Sequence, residues 1–256
     1  VDLGLRDRTY LVTGGSTGLG FATARCLVDE GANVVLVARD EQGLERSVAQ
    51  LGDRAAGLSG DLADPDLPPA AVRQAIDSFG RLDGALVSVG GPPPGTVLTT
   101  RDDEWSQAFA TVFLGTIRML RAACEGIRAS GTQSSAALAV VLSTSAVEVF
   151  PGLSTSNGLR PGLGMLVKDL ADEVGPEGIR VNGLLPGRIA TERLARLDEA
   201  TGNPQAARQR AEAAIPLRRY GRPEEFGTVA AFVLSPAAAY LTGTLLRVDG
   251  GSTRSL

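Results

Sequence analysis

The chain contains no histidine, one lysine (Lys168), two cysteines and only 4% aromatic residues. Without imidazole, every mechanism that uses histidine as base or ligand is excluded. Cys26 and Cys124 stand alone, with no paired spacing to bridge or to hold a metal, so each reads as a small core residue and no metal site is expected. No stretch reaches ~18 consecutive apolar residues, and the first residues lack a basic head followed by an apolar run. Neither a membrane span nor a signal peptide is expected, and the reading is a cytoplasmic protein. The net charge of −4 and the lack of a Lys/Arg-rich block argue against binding nucleic acid or anionic lipid through bulk electrostatics. A small-molecule partner is the expectation.

What is present is an ordinary globular composition. The 256 residues are 43% hydrophobic and 21% charged, enough apolar side chain for a substantial core in one large α/β domain spanning 1–256. Short Val/Leu/Ala-rich runs recur at Tyr10–Thr13, Val34–Ala38, Leu86–Val89, Leu138–Leu142, Ile179–Leu185 and Leu245–Val248, each followed by a longer helical pattern. Continuous apolar strands are buried on both faces, the mark of a parallel sheet covered by helices. Gly31 and Gly178 fall where helices should stop. The alternation predicts a doubly wound, Rossmann-type α/β fold of about seven parallel strands. Ligands of such sheets bind beyond the carboxyl ends of the strands. Three segments should therefore border the site: Gly90–Thr100, Thr144–Ser156, and a helical, lid-like excursion over Thr191–Ala214 (about 190–215).

Directly after the first strand comes Thr13-Gly14-Gly15-Ser16-Thr17-Gly18-Leu19-Gly20, followed by a helical pattern running to Glu30. Glycines at 14, 18 and 20 permit a tight turn, approach of backbone N–H groups to a pyrophosphate, and close packing of helix on strand. A glycine-rich turn alone fits a plain structural turn as well, but its place at the first strand-to-helix junction points to a dinucleotide.

Further landmarks follow in order: Gly60-Asp61-Leu62, Ile179-Arg180-Val181-Asn182 leading to Pro186-Gly187 and Thr191, Arg222-Pro223-Glu224-Glu225, and Leu241-Thr242-Gly243 leading to Val248-Asp249-Gly250-Gly251. With the Thr-Gly-x-x-x-Gly-x-Gly turn, this set over nearly the whole length resembles the short-chain dehydrogenase/reductase family. The resemblance implies an oxidoreductase with a nicotinamide cofactor, whose phosphates lie over Gly14 to Gly20, the adenine beside Asp61 and Leu62, and the nicotinamide near Pro186 and Gly187, with Thr191 a further cofactor-binding residue. Asp61 also reads as a turn carboxylate, and Thr191 as a helix-start residue. The resemblance further implies a homo-oligomer, a homotetramer or homodimer, built on helices around Asp102–Ser130 and Pro161–Val174.

Cofactor choice turns on Val37-Ala38-Arg39-Asp40. A carboxylate at the strand's last position would favour NAD through a ribose hydroxyl, but Ala38 stands there and is followed by Arg39, whose planar fork suits a 2′-phosphate. NADP(H) is therefore expected over NAD(H). Asp40 would reverse the choice if the strand ends later, and Arg39 has a second reading as a solvated surface charge.

The family's Tyr-x-x-x-Lys pair is missing. Alignment on Lys168-Asp169-Leu170-Ala171 puts Ser156 at the Tyr position and Arg160 at the Lys position. Counting back thirteen gives Ser143 for the family's catalytic serine, and Val112 stands at the family's Asn position. Tyr10, Tyr220 and Tyr240, the remaining phenols, have no Lys four residues on. An aliphatic hydroxyl is a far weaker acid than a phenol, and a guanidinium keeps its proton. Arg160 then reads either as a ribose-binding charge or as a packing residue. Pro161 predicts a regular helix beginning no earlier than about Gly158, or kinked there, separating Ser156 from Arg160. Glu148 is the one carboxylate of its loop and a candidate proton donor, with a solvated surface glutamate as the other reading. Ser143 and Ser145 are candidates to donate to a substrate oxygen or are plain turn formers. Ser88-Val89-Gly90-Gly91-Pro92-Pro93-Pro94-Gly95 replaces the family's Asn-Asn-Ala-Gly; Gly90 permits close cofactor approach, and the prolines predict a stiff wall. The expectation is an NADP(H)-dependent reductase or dehydrogenase for a small carbonyl or alcohol, with a cofactor-binding sensor or inert oligomer partner as the alternative.

Overall fold

A computed structural model describes residues 1–91 and 94–255; two of the three prolines in the expected stiff wall, Pro92 and Pro93, lie outside the described residues. Seven parallel strands form one sheet in the order β3-β2-β1-β4-β5-β6-β7. They are β1 (Thr9–Thr13), β2 (Asn33–Ala38), β3 (Ala55–Ser59), β4 (Gly84–Ser88), β5 (Ala137–Val141), β6 (Arg180–Pro186) and β7 (Leu245–Val248). Every residue of β1 and β5 is buried, whereas the outer strands β3 and β7 are only partly covered. Such central strands need helices on both faces, and the chain supplies them.

Side chains of successive strand residues point to opposite faces, and this alternation splits the core in two. Leu11, Val35, Val37, Val87 and Val140 pack with Ala75, Met119 and Val167 from α3 (Leu67–Phe79), α5 (Gly115–Ser130) and α6 (Ser154–Val174). Tyr10, Val12, Leu36, Leu86 and Leu184 pack with Leu27, Leu44 and Phe226 from α1 (Gly18–Asp29), α2 (Glu41–Leu51) and α9 (Pro223–Leu234). α4 (Asp102–Ala108) runs into α5 through a π-helical turn at Phe109–Leu114. α7 (Glu192–Glu199) and α8 (Pro204–Ala214) fill the excursion after β6.

The chain leaves β1 towards β2 on one side and later returns to β4 on the other, so the sheet's switch point lies between β1 and β4. Their paired register, Val12 opposite Leu86, brings Thr13 beside Ser88. The Thr13 hydroxyl donates to the Ser88 carbonyl and accepts from the Ser88 N–H, both at 2.8 Å. The crevice beyond this clasp is where an open α/β sheet holds its ligand.

Of the two outcomes expected from Pro161, the later start is not the one found: α6 starts at Ser154, not at Gly158, and runs through Pro161. Proline removes one helical hydrogen bond, but loop contacts hold the first turn. Asn157 Oδ1 accepts from the Phe150 N–H at 3.1 Å while its Nδ2 donates to the Phe150 carbonyl at 2.8 Å. The Ser154 hydroxyl lies 2.9 Å from that of Thr100.

Candidate active site

The crevice begins at the glycine turn. Gly14 has φ +59°, and a Cβ there would meet the Ser88 carbonyl at 2.9 Å. A Cβ on Gly20 would collide with the Gly14 carbonyl. The glycines therefore let α1 start hard against the end of β1. The first N–H groups of a helix have no intrahelical acceptor, and the Thr17 side chain does not cap them. Gly18 lies against Thr191, whose methyl is 3.5 Å from the place a Gly18 Cβ would take. The N–H groups of Gly18, Leu19 and Gly20, following Ser16 and Thr17, thus fit a pyrophosphate. Thr191 also caps α7, accepting from the Leu194 N–H at 3.4 Å, so it is a helix-start residue whatever else it touches.

At the end of β2, Arg39 is exposed and forms a loose ion pair with Asp61 at 3.7 Å. The Asp40 carboxylate folds back over the first turn of α2, where a Cβ on Gly43 would strike it. Asp61 also closes a turn, accepting from the Ala63 N–H at 2.9 Å. Leu62 is buried in the core, so only its backbone can face a ligand. Gly90 is exposed beyond β4, and Gly187 packs against Asp249 just after Pro186 ends β6.

Beyond β5 the hydroxyls sort themselves differently from the thirteen-residue count. Ser143 Oγ caps a short turn, accepting from the Ser145 N–H at 3.1 Å. It is Ser145 whose Oγ lies 2.9 Å from Ser156 Oγ, and both residues are buried. Ser145 stands eleven residues before Ser156 and Ser143 thirteen, and in Ser143-Thr144-Ser145 the alternation of hydroxyl residues left counting unable to tell which of them reaches Ser156.

Ser156 and Arg160 do share one turn of α6. Arg160 is buried and its guanidinium reaches beneath the strand ends, donating from Nη1 to the Val141 carbonyl at 2.5 Å and from Nη2 to the Val89 carbonyl at 3.4 Å. Its Nε is buried and has no acceptor among the described residues. Burial, with Arg193 adding repulsion, pushes its pKa down to about 10, which leaves it a cation at neutral pH. Val112 is buried within the π-helical turn, where its carbonyl accepts from the Thr116 hydroxyl at 2.7 Å. The helix is thus widened at the family's Asn position although the polar side chain is gone.

Glu148 is turned towards the C-terminal segment. Its carboxylate accepts from the backbone N–H groups of Arg254 at 2.5 Å and Ser255 at 3.0 Å. The phenols lie in other environments. Tyr10 is buried and donates to the Leu234 carbonyl, Tyr220 donates to Asp198 at 3.0 Å, and Tyr240 is exposed. Arg193, two positions after Thr191 in the segment whose charges read from sequence either as favouring an acidic ligand or as a solvated helix face, donates to the Gly91 carbonyl at 2.6 Å. Among the described residues no cluster of His, Cys, Asp or Glu could hold a metal, and no helix is long and apolar enough to cross a membrane.

Comparison with known proteins gives this geometry its context. Residues 14–253 match the model of a family described as enoyl-(acyl carrier protein) reductase. An uncharacterized oxidoreductase of Mycobacterium tuberculosis is 33% identical over 254 residues, covering 97% of this chain and 93% of the relative. An L-rhamnose 1-dehydrogenase (NAD(P)(+)) of a Sphingomonas species is 32% identical, covering 96% of each. The crystal structure of L-sorbose reductase from Gluconobacter frateurii, complexed with NADPH and L-sorbose, superposes with a TM-score of 0.94 at 28% identity, covering 100% of both chains.

Proposed function

Because the chain belongs to the short-chain dehydrogenase/reductase family of oxidoreductases, we propose that it binds NADP(H) in preference to NAD(H) and interconverts a small carbonyl compound and its alcohol in an atypical active site. The observation that carries this reading is the glycine turn at the switch point, with its uncapped helix N-terminus. The exposed Arg39, beside a carboxylate at Asp40 that turns back on its own helix, supports the preference for a 2′-phosphate. Relatives that use NADPH or NAD(P)(+) by name are consistent with it. Titration of the protein with NADPH and NADH should give the lower Kd for NADPH, and Arg39→Ala should shrink the difference by about tenfold. Tighter binding of NADH by the unaltered protein would remove Arg39 from this role.

A bound nicotinamide supplies or accepts hydride at the substrate carbon; the protein must manage the oxygen. Ser145 and Ser156 orient that oxygen by donating hydrogen bonds, with Ser143 shaping the turn that presents Ser145. Arg160 contributes fixed positive charge under the nicotinamide ribose and gives up no proton. Lacking a phenol, the reaction draws its proton from water and runs ~10²–10⁴ more slowly than a positioned acid would allow. Ser156→Tyr combined with Arg160→Lys should therefore raise kcat towards a small ketone or aldehyde, by up to ~10², in a variant whose melting temperature shows that it folds.

A second reading, a nucleotide-binding sensor or inert oligomer partner, is favoured by the placement of the three phenols, Tyr10 and Tyr220 engaged in hydrogen bonds elsewhere and Tyr240 at the surface. NADPH binding without turnover on any carbonyl substrate would select it. We further propose a homo-oligomer assembled through α4, α5 and α6, where Phe109 and Met165 are exposed and Phe109 stacks on Phe113 at 5.2 Å.

A further inference from the structure

Three walls of the crevice converge on one stretch of irregular chain. Residues 249–255 follow β7, and they begin with a turn wound around the Asp249 carboxylate, which accepts from the N–H groups of Gly251 and Thr253, each at 2.9 Å, and from the Ser252 hydroxyl at 3.3 Å. The wall after β6 meets this turn first: the Gly187 N–H donates to the Val248 carbonyl at 3.1 Å, and a Cβ on Gly187 would strike Asp249. The end of the lid-like segment meets it next, where the Leu217 N–H donates to the Gly250 carbonyl at 3.3 Å and a Cβ on Gly251 would lie 3.1 Å from the Pro216 ring. The loop after β5 is joined through a side chain. Glu148 Oε1 accepts from both the Arg254 and Ser255 N–H groups, and Arg247 holds Ser255 as well, donating to its carbonyl at 2.5 Å and its hydroxyl at 3.2 Å. An ionised acceptor makes such bonds roughly twice as strong as a neutral one. Glu148 ends the short turn that carries Ser145: the N–H groups of Val147 and Glu148 both donate to the Thr144 carbonyl at 3.0 Å. Irregular chain keeps its place only where it is tied, and here the tie is the Glu148 carboxylate.

We infer that Glu148 is a positioning residue for the proposed reaction: by fastening residues 249–255 to the turn that bears Ser145, it fixes the Ser145 and Ser156 hydroxyls relative to the Gly187 wall and the end of the lid-like segment. The inference rests on the reading of the crevice as the substrate cleft. The role asks the side chain for an acceptor oxygen at the right reach, and not for a proton. Those demands separate cleanly in two conservative variants. Gln keeps the acceptor and the reach but loses the carboxylate, whereas Asp keeps the carboxylate and falls one methylene short.

The test compares Glu148→Ala, Glu148→Gln and Glu148→Asp with the unaltered protein in three measurements: NADPH-dependent reduction of diacetyl as the small carbonyl probe, NADPH affinity by titration, and amide hydrogen exchange. Melting temperatures show that each variant folds. Glu148→Ala should lower kcat about tenfold with the NADPH Kd unchanged, Glu148→Asp should follow it, and Glu148→Gln should recover to within about threefold of the original. Exchange over residues 144–156 and 254–255 should quicken about tenfold in the Ala and Asp variants while β1 and β2 exchange as before. A Gln variant no better than the Ala variant assigns the carboxyl group itself to the chemistry and overturns the positioning role. Unchanged kcat in Glu148→Ala, or unaltered exchange over 144–156 in that variant, overturns it as well. Where the unaltered protein does not turn over diacetyl, the reductase reading is what fails, and exchange alone decides: quickened exchange in Glu148→Ala that Glu148→Gln reverses upholds the tie, and unaltered exchange in Glu148→Ala overturns it.

Discussion

At the scale of single residues, the site is made by small differences in reach. Ser145 touches Ser156, while the Ser143 hydroxyl is held in its own turn by the Ser145 N–H. Ser145→Ala leaves Ser156 Oγ without that partner, and should lower turnover by about tenfold while leaving NADPH binding unchanged; an altered NADPH Kd would place Ser145 against the nucleotide. The glycines are less forgiving. Gly20→Ala drives a methyl into the Gly14 carbonyl, and should cost ~1–3 kcal/mol of stability in urea titration together with nucleotide binding. Away from the crevice, Asp83 is fully buried among Arg81 at 2.7 and 2.8 Å, Arg8 at 3.3 Å and the Thr9 N–H at 2.9 Å. Asp83→Ala leaves the buried Thr9 N–H without its acceptor and two partly exposed arginines without their carboxylate, and should destabilise by ~1–3 kcal/mol. The glycine turn was legible in the sequence because its chemistry is backbone chemistry at fixed spacing. Arg193 was legible only as an open choice: an arginine on an exposed helix turn looks the same whether it serves a ligand, faces solvent or folds onto Gly91.

At the scale of elements, the sheet was readable and the start of α6 was not. Buried parallel strands leave continuous apolar runs, and those runs fell within a residue or two of β1, β2, β5 and β7, with β4 beginning two residues early. β3, an outer strand of sequence Ala-Ala-Gly-Leu-Ser, has too little apolar character to announce itself. The first turn of α6 contradicts its own propensity, since Pro161 argues locally for a later start, but Asn157 and Ser154 are pinned to Phe150 and Thr100 by contacts that no local pattern encodes. Pro161→Ala should restore the missing helical hydrogen bond and raise stability by ~1–3 kcal/mol, measured as a higher urea midpoint. A fall would mean that the proline ring packs where alanine leaves a void.

At the scale of the whole molecule, burial sets the alkaline limit. The Cys124 thiol is pushed up from 9.0 to about 11 by burial, and burial also raises the Tyr10 phenol. Both groups are held protonated by the fold, so their contribution is complete below their ordinary values and is lost as pH rises. For Cys124 that window runs from 9.0 to about 11. The urea midpoint should begin to fall there, and Cys124→Ala should make the decline shallower. The proposed assembly gives a second check: Met165→Glu places a charge on the exposed α6 face and should shift sedimentation to a smaller species. Strand order has a consequence for synthesis. β1, β2 and β3 are neighbours both along the chain and across the sheet, so the half that leaves the ribosome first has all it needs for three paired strands. Its β1 edge stays bare until Gly84–Ser88 emerges to cover it. A nascent chain that pauses after Phe79 presents that open edge as a template for wrong pairing, and translation past β4 is what closes it.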